Sequence, residues 1–117
     1  MALPTGSGSE VLKRHSANVD DSSTTLTVPA LHIYTILSIN LTSLSASSSD
    51  VDIFIHDGSL PRRIADGTGA TALGPKDTFV YSDRIVMMAG DVMTVDNNTA
   101  VAVDVWISYI DQDWTTP

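Results

Sequence analysis

A chain of 117 residues, 43% hydrophobic and only 17% charged, has the size and composition of one folded domain; a second domain and a charge-driven disordered chain are both excluded. The net charge of −8 repels phosphate backbones and argues against nucleic acid as a partner, while the absence of cysteine removes disulfides and thiolate zinc sites. All but one of the 14 acids are Asp, a residue of turns and strand ends, and with aromatics at 6% the core must be aliphatic.

The chain opens on Met1-Ala-Leu-Pro-Thr-Gly-Ser-Gly-Ser9, which has no periodicity and reads as an extended arm over residues 1–9, with Leu3 its one sizeable apolar anchor beyond Met1. It lacks the basic and apolar regions of a secretory signal, so synthesis and assembly in a cytoplasm are expected. No apolar run is long enough to cross a bilayer, and no membrane partner is expected. Glu10 to His15 suits a short strand or one helical turn, and Asp20-Asp-Ser-Ser23 is a turn. Thr24 to Val28 alternates with Leu26 and Val28 inward, and Pro29 ends it because proline cannot donate to a ladder.

His32-Ile-Tyr-Thr-Ile-Leu-Ser-Ile-Asn-Leu41 is the longest uninterrupted strand pattern, spanning about 30 Å. Read as one run of period two, it turns Ile33, Thr35, Leu37, Ile39 and Leu41 inward and Tyr34, Ile36, Ser38 and Asn40 outward. A Ser-dominated loop follows from Thr42 to Asp50. Val51 to Ile55 then alternates, with Val51, Ile53 and Ile55 inward and Asp52, Phe54 and His56 outward, closed by the hairpin signal Asp57-Gly58. Leu60 to Ala65, with Pro61 and the pair Arg62-Arg63, is an edge strand. Asp66 to Ala70 is loop, Gly74-Pro75 a turn, and Asp77 to Tyr81 and Arg84 to Met88 are short strands. Ala89-Gly-Asp91 turns tightly into Val92 to Val95. After Asn97-Asn98 the last long strand stacks Val101, Val103, Val105, Ile107 and Tyr109 on one face, and residues 112–117 form a polar tail around Trp114.

Eight or nine short strands, turn clusters every 8 to 12 residues and no helical stretch predict an all-β, antiparallel β-sandwich over residues 10–111, with a jelly-roll or Greek-key path.

Chemistry is sparse along this path. No nucleophile has a base at a recognisable spacing, so no catalytic residue and no enzyme are expected. His15, His32 and His56 are far apart and read as surface imidazoles, and the pairs Asp50/Asp52 and Asp111/Asp113 as solvated acids rather than a calcium loop. Gly67-Thr-Gly69 lacks the Lys and helix of a phosphate loop; neither metal nor cofactor is expected. Asn40-Leu-Thr42 and Asn97-Asn-Thr99 match the glycosylation pattern by chance.

Outward apolar residues are more informative. Ile36, Phe54, Trp106 and Ile110 lie opposite the inward set of their strands. They mark an interface, or a surface covered by a loop or the arm, or a strand whose inward face is the other one. With Leu3, Lys13, Arg14, Arg62, Arg63 and Trp114 they form the set of candidate contact residues.

The opening Ala2 to Val11, the block His32 to Ile39, Phe79-Val-Tyr-Ser-Asp83, and the ending from Ala89-Gly-Asp91 through Val105-Trp-Ile-Ser-Tyr-Ile-Asp111 resemble small β-sandwich structural proteins of tailed-bacteriophage virions. The resemblance covers nearly the whole chain, but its motifs are structural. It implies a non-enzymatic virion protein, first a homo-oligomeric capsid decoration (cement) protein held to copies of itself and to the major capsid protein. In that role the arm bridges neighbours and Lys13, Arg14, Arg62 and Arg63 meet acidic shell surfaces. The alternative is a neck or tail component, including a receptor- or carbohydrate-binding module that uses Trp106, Trp114 and Tyr109 as stacking platforms.

Overall fold

The structure, a computed structural model, describes residues 9–44, 50–58, 60–65, 78–99 and 101–115. Leu3, the rest of the arm before Ser9, most of the Ser-rich loop, Gly67-Thr-Gly69 and Gly74-Pro75 lie outside these residues. The described residues contain β1 (Ser9–Val19), β2 (Ser23–Thr27), β3 (His32–Ser43), β4 (Val51–His56), β5 (Pro61–Ala65), β6 (Thr78–Tyr81), β7 (Ile85–Met87), β8 (Val92–Asn97) and β9 (Val103–Asp113). No helix among them is long and apolar enough to cross a membrane.

The strands form two antiparallel sheets packed as a sandwich. The long sheet runs β1-β9-β3-β6, with β7 also paired to β3, and the short sheet runs β2-β8-β4-β5. The chain crosses between the sheets after every strand except β4 and β6, and this order is the jelly-roll path of two Greek keys. β3 and β9, the longest apolar runs, pair along their whole length at the middle of the long sheet. β1 is a continuous strand of 11 residues at the edge, neither a helical turn nor a short strand, because β9 offers it a ladder from Asp113 back to Val103. β5 is an edge strand, as its Pro61 requires.

The core between the sheets is mostly aliphatic. Val103, Val105 and Ile107 of β9 and Ile39 and Leu41 of β3 meet Leu26, Val51, Ile53, Met93 and Val95 of the short sheet. One part of the expected pattern is reversed. The β3/β9 register shifts between Ile36 and Ser38, so Leu37 occupies a β-bulge. The extra residue flips the phase: Tyr34 and Ile36 point inward before it, and Ile39, Leu41 and Ser43 after it. Ile36, expected outward, is therefore a core residue with 0% exposure, while Ile33 and Thr35 move to the outer face.

Hydrogen bonds hold the chain at both ends of the sandwich where it crosses between sheets. Gly90, at φ +91°, donates to the Val28 carbonyl, and Val28 donates in return to the Asp91 carbonyl. That tight turn carries the chain from β7 in the long sheet to β8 in the short one, and its left-handed conformation costs glycine least. At the opposite end Asn97, 1% exposed, donates from Nδ2 to the carbonyls of Val19 (3.0 Å) and Val101 (2.7 Å). Its Oδ1 accepts from the N–H and hydroxyl of Thr99, so this one side chain ties the end of β1 to the end of β8.

Candidate interaction face and end cluster

The antiparallel register determines which side chains share the outer face of the long sheet. Leu12 lies opposite Ile110, Ile110 opposite Thr35, and Thr35 opposite Val86, giving a cross-strand row over four strands, about 14 Å wide. Leu12 is 75% and Val86 61% exposed, with Ile110 half-buried between them. Ile33 and the bulge residue Leu37 flank this row. The outer face of the short sheet is different: Thr25, Thr94, Asp96 and Asp52 dominate it, and its one aromatic, Phe54, lies under the Arg63 guanidinium at 5.9 Å.

Trp106, 42% exposed, stands further along the long sheet, with the Arg14 guanidinium 4.7 Å from its ring centre. It divides two shallow depressions. One, of about 510 Å³, is lined by Leu12, Leu37, Arg14 and Ser108, with Lys13 and Tyr109. The other, of about 610 Å³, is lined chiefly by Ser16, Asn18, Asn40, Thr42 and Asp104.

A polar cluster occupies the end of the long sheet at Ser9 and Asp113. Asp111 takes the inward phase of β9 and is 3% exposed; it accepts hydrogen bonds from Lys13 Nζ and His32 Nδ1, each at 2.7 Å. Burial pushes the Asp111 carboxyl up, but the hydrogen bonds and charges of Lys13 and His32 outweigh it and hold the pKa below the usual Asp value. The same bond raises Lys13 above an ordinary lysine. Asp113, 3.5 Å from His32 Nε2, is lowered chiefly by the hydrogen bonds of Thr115. Tyr34 stacks on Tyr109 at 4.7 Å, and burial raises its phenol pKa. His32 and Asp111 are thus neither a surface imidazole nor a solvated acid, because the inward alternation of β9 continues past Tyr109 and takes Asp111 with it. His15 is also engaged, its Nε2 lying 2.6 Å from the Thr24 hydroxyl and joining the edges of the two sheets. No group of three or more His, Asp or Glu among the described residues is arranged to hold a metal.

The candidate contact residues are scattered. Arg14, Trp106 and Ile110 share the outer face of the long sheet, and Lys13 lies in the end cluster. Ile36 is in the core. Arg63 pairs with Asp52 at 3.1 Å and Arg62 lies 3.7 Å from Asp57, both at the β5 edge beside Phe54. Trp114 is half-buried, its backbone N–H bonded to the Leu31 carbonyl. Leu12 and Val86 were not among the expected contacts; the alternation of β1 carries Leu12 to the outer face once β1 is known to be a strand.

No family model and no curated protein matches the chain. Among solved structures, the Drosophila NLP core, described for pentamer formation and histone binding, is similar at TM-score 0.54 and 16% identity, over 84% of this chain and 96% of that one. A pentameric capsid protein from metagenomic phage sequences is similar at TM-score 0.49 and 20% identity; this chain spans 59% of its length, and 86% of this chain is covered. A Bacillus endospore appendage protein from disulfide-linked pili gives TM-score 0.46 and 14% identity over 99% of this chain and 97% of that one. These likenesses are distant, and the first of them shows the fold: two antiparallel sheets packed as a sandwich.

Proposed function

We propose that this chain is a non-enzymatic structural subunit of a bacteriophage virion, a capsid decoration protein that stabilises a shell through contacts with copies of itself and with other virion proteins. The observation that carries the reading is the row Leu12–Ile110–Thr35–Val86 with the apolar depression beside it. A sheet face turned to water alternates toward polar residues, as the short sheet does; an outer face that keeps Leu, Ile and Val in one cross-strand row, interrupted only by Thr35, is built to be covered. The motifs that resemble small virion proteins suit this role. The NLP core, with the same fold, is described for pentamer formation, but that likeness is one of fold, and self-association is argued from this chain's own surface.

An oligomer whose contacts involve this row should be seen by light scattering of the purified chain at high micromolar concentration. Leu12→Glu combined with Val86→Glu should reduce it to monomer without changing the strand spectrum. A monomeric parent chain overturns the self-association. Absence of the protein from purified particles overturns the virion assignment, and a few copies per particle would make it a neck or tail part instead.

A further inference from the structure

The depression on the other side of Trp106 has a different chemistry from the apolar row. Three strands present two consecutive outward positions there. Ser16, Trp106 and Asn40 form one cross-strand row, and Asn18, Asp104 and Thr42 the next. Strand spacing and the two-residue repeat make this patch about 10 Å by 7 Å, which accommodates one or two sugar rings. Asp104 Oδ1 accepts from Asn18 Nδ2 at 2.9 Å, which orients the carboxylate, and Asp104 lines the depression. Asn40 and Ser16 make no side-chain hydrogen bond to a described residue, and Trp106 lines both depressions, with Arg14 stacked on it from the apolar one.

We infer that this patch is a binding site for a neutral glycan, with Trp106 as the apolar platform for the C–H face of a pyranose and Asp104, Asn40 and Asn18 as partners for its hydroxyl groups. Each class of side chain has its counterpart in that ligand. The indole offers an apolar surface that tolerates hydroxyls at its rim. A carboxylate accepts from two neighbouring hydroxyls, and the amides both donate and accept. Among the described residues no Lys or Arg lines the depression, and with Asp104 inside it and −8 on the chain an anionic polymer is repelled. Only one large apolar side chain is present, too little for a peptide that binds through its own hydrophobic residues. The inference does not rest on the virion reading, since the apolar row lies at the other end of the face and can be mutated separately.

The test is a titration of the full chain with defined oligosaccharides: neutral hexamers of N-acetylglucosamine, glucose and mannose, beside oligogalacturonate as the anionic control. Protein-observed NMR would follow the Asn40 side-chain amide and the Trp106 indole N–H. A neutral hexamer should shift both resonances, with Asp104→Asn and Asn40→Ala each weakening binding about five-fold, the loss of one ordinary hydrogen bond. The Leu12→Glu, Val86→Glu chain should bind as the parent does. All of these positions are exposed or half-buried, so the variants should fold, as their strand spectra would show. No shift with any neutral hexamer at millimolar concentration overturns the proposal, as does binding that survives both substitutions or binding by oligogalacturonate alone.

Discussion

Asp111→Asn tests how the end cluster contributes to stability. The carboxylate is almost wholly buried and held by two charge-assisted bonds of 2.7 Å. Bonds of that type contribute roughly 1.5–3 kcal/mol each when shielded, but Lys13 is 45% exposed and recovers most of its share from water. The bond to His32, whose side chain is 16% exposed, keeps more of its value, and the Asn Oδ1 can still accept from one partner. The loss should be about 2 kcal/mol at pH 7, or a fall of about 8 °C in Tm for a chain of this length. The pH dependence has a definite sign. A folded-state pKa held below the unfolded one contributes stability that is fully present above the usual Asp range and is lost as pH falls through the depressed value. Lys13, raised, contributes below the ordinary lysine pKa and loses that contribution as pH climbs through its higher folded value. Urea unfolding of parent and variant from pH 8 to pH 2 should therefore give a gap that is constant down to about pH 5 and narrows below pH 4, as the parent's carboxylate becomes protonated. A gap under about 0.5 kcal/mol at neutral pH, or one that does not narrow in acid, would refute the assignment of Asp111 as a buried, ionised acceptor.

Two further substitutions test the core and the opposite end. Ile36→Ala should cost about 3 kcal/mol in urea unfolding if the bulge at Leu37 turns Ile36 inward, whereas Thr35→Ala on the outer face should stay within about 0.5 kcal/mol; the reverse order would mean an unbroken strand. Asn97→Ala should cost about 3 kcal/mol, since four hydrogen bonds end on this buried side chain, and Asn97→Asp should be worse at pH 7 than at pH 4 because an ionised carboxylate would face the carbonyls of Val19 and Val101.

The architecture was legible because it rests on local alternation. β2, β8 and β9 bury the residues their period of two places inward, and β4 does so with one exception, Asp52, which is not a solvated acid but is buried against Arg63; the turn signals Asp57-Gly58 and Ala89-Gly-Asp91 each hold a glycine at positive φ. The bulge was not read, although the sequence carries its trace. An unbroken β3 buries Thr35 and exposes Ile36, while a phase change at Leu37 sends Thr35, Ser38, Asn40 and Thr42 all outward and gathers Tyr34, Ile36, Ile39 and Leu41 inward. Counting polar residues on each side of a possible phase change finds it; counting apolar ones alone does not. The partnership of Asp111 with Lys13 and His32 is of another kind. The three residues are brought together by the register of β1 and β3 on β9, across 98 and 79 positions of chain, and no local pattern specifies that register.

The end cluster follows from the unequal lengths of the two sheets. β1, β3 and β9 have 11 or 12 residues and extend about 37 Å, whereas β2, β4, β5 and β8 have 5 or 6 and extend about half as far. The Asn97 bond to Val19 aligns the sheets at one end, so the short sheet runs out well before Ser9 and Asp113. The inward side chains of β9 change accordingly along the strand: Val103, Val105 and Ile107 under full cover, Tyr109 at the margin, then Asp111 and Asp113. β3 repeats the change from Leu41 and Ile39 through Tyr34 to His32, and β1 from Val19 through His15 to Lys13. A long sheet left bare on its inner face would expose an apolar ledge; tyrosines that present a polar tip and then an interlocked acid, lysine and histidine end the core without one. Lys13, Asp111 and Asp113, with His32, thus finish the inner face of the long sheet. Its outer face keeps exposed an apolar row at one end and a tryptophan among amides and a carboxylate at the other.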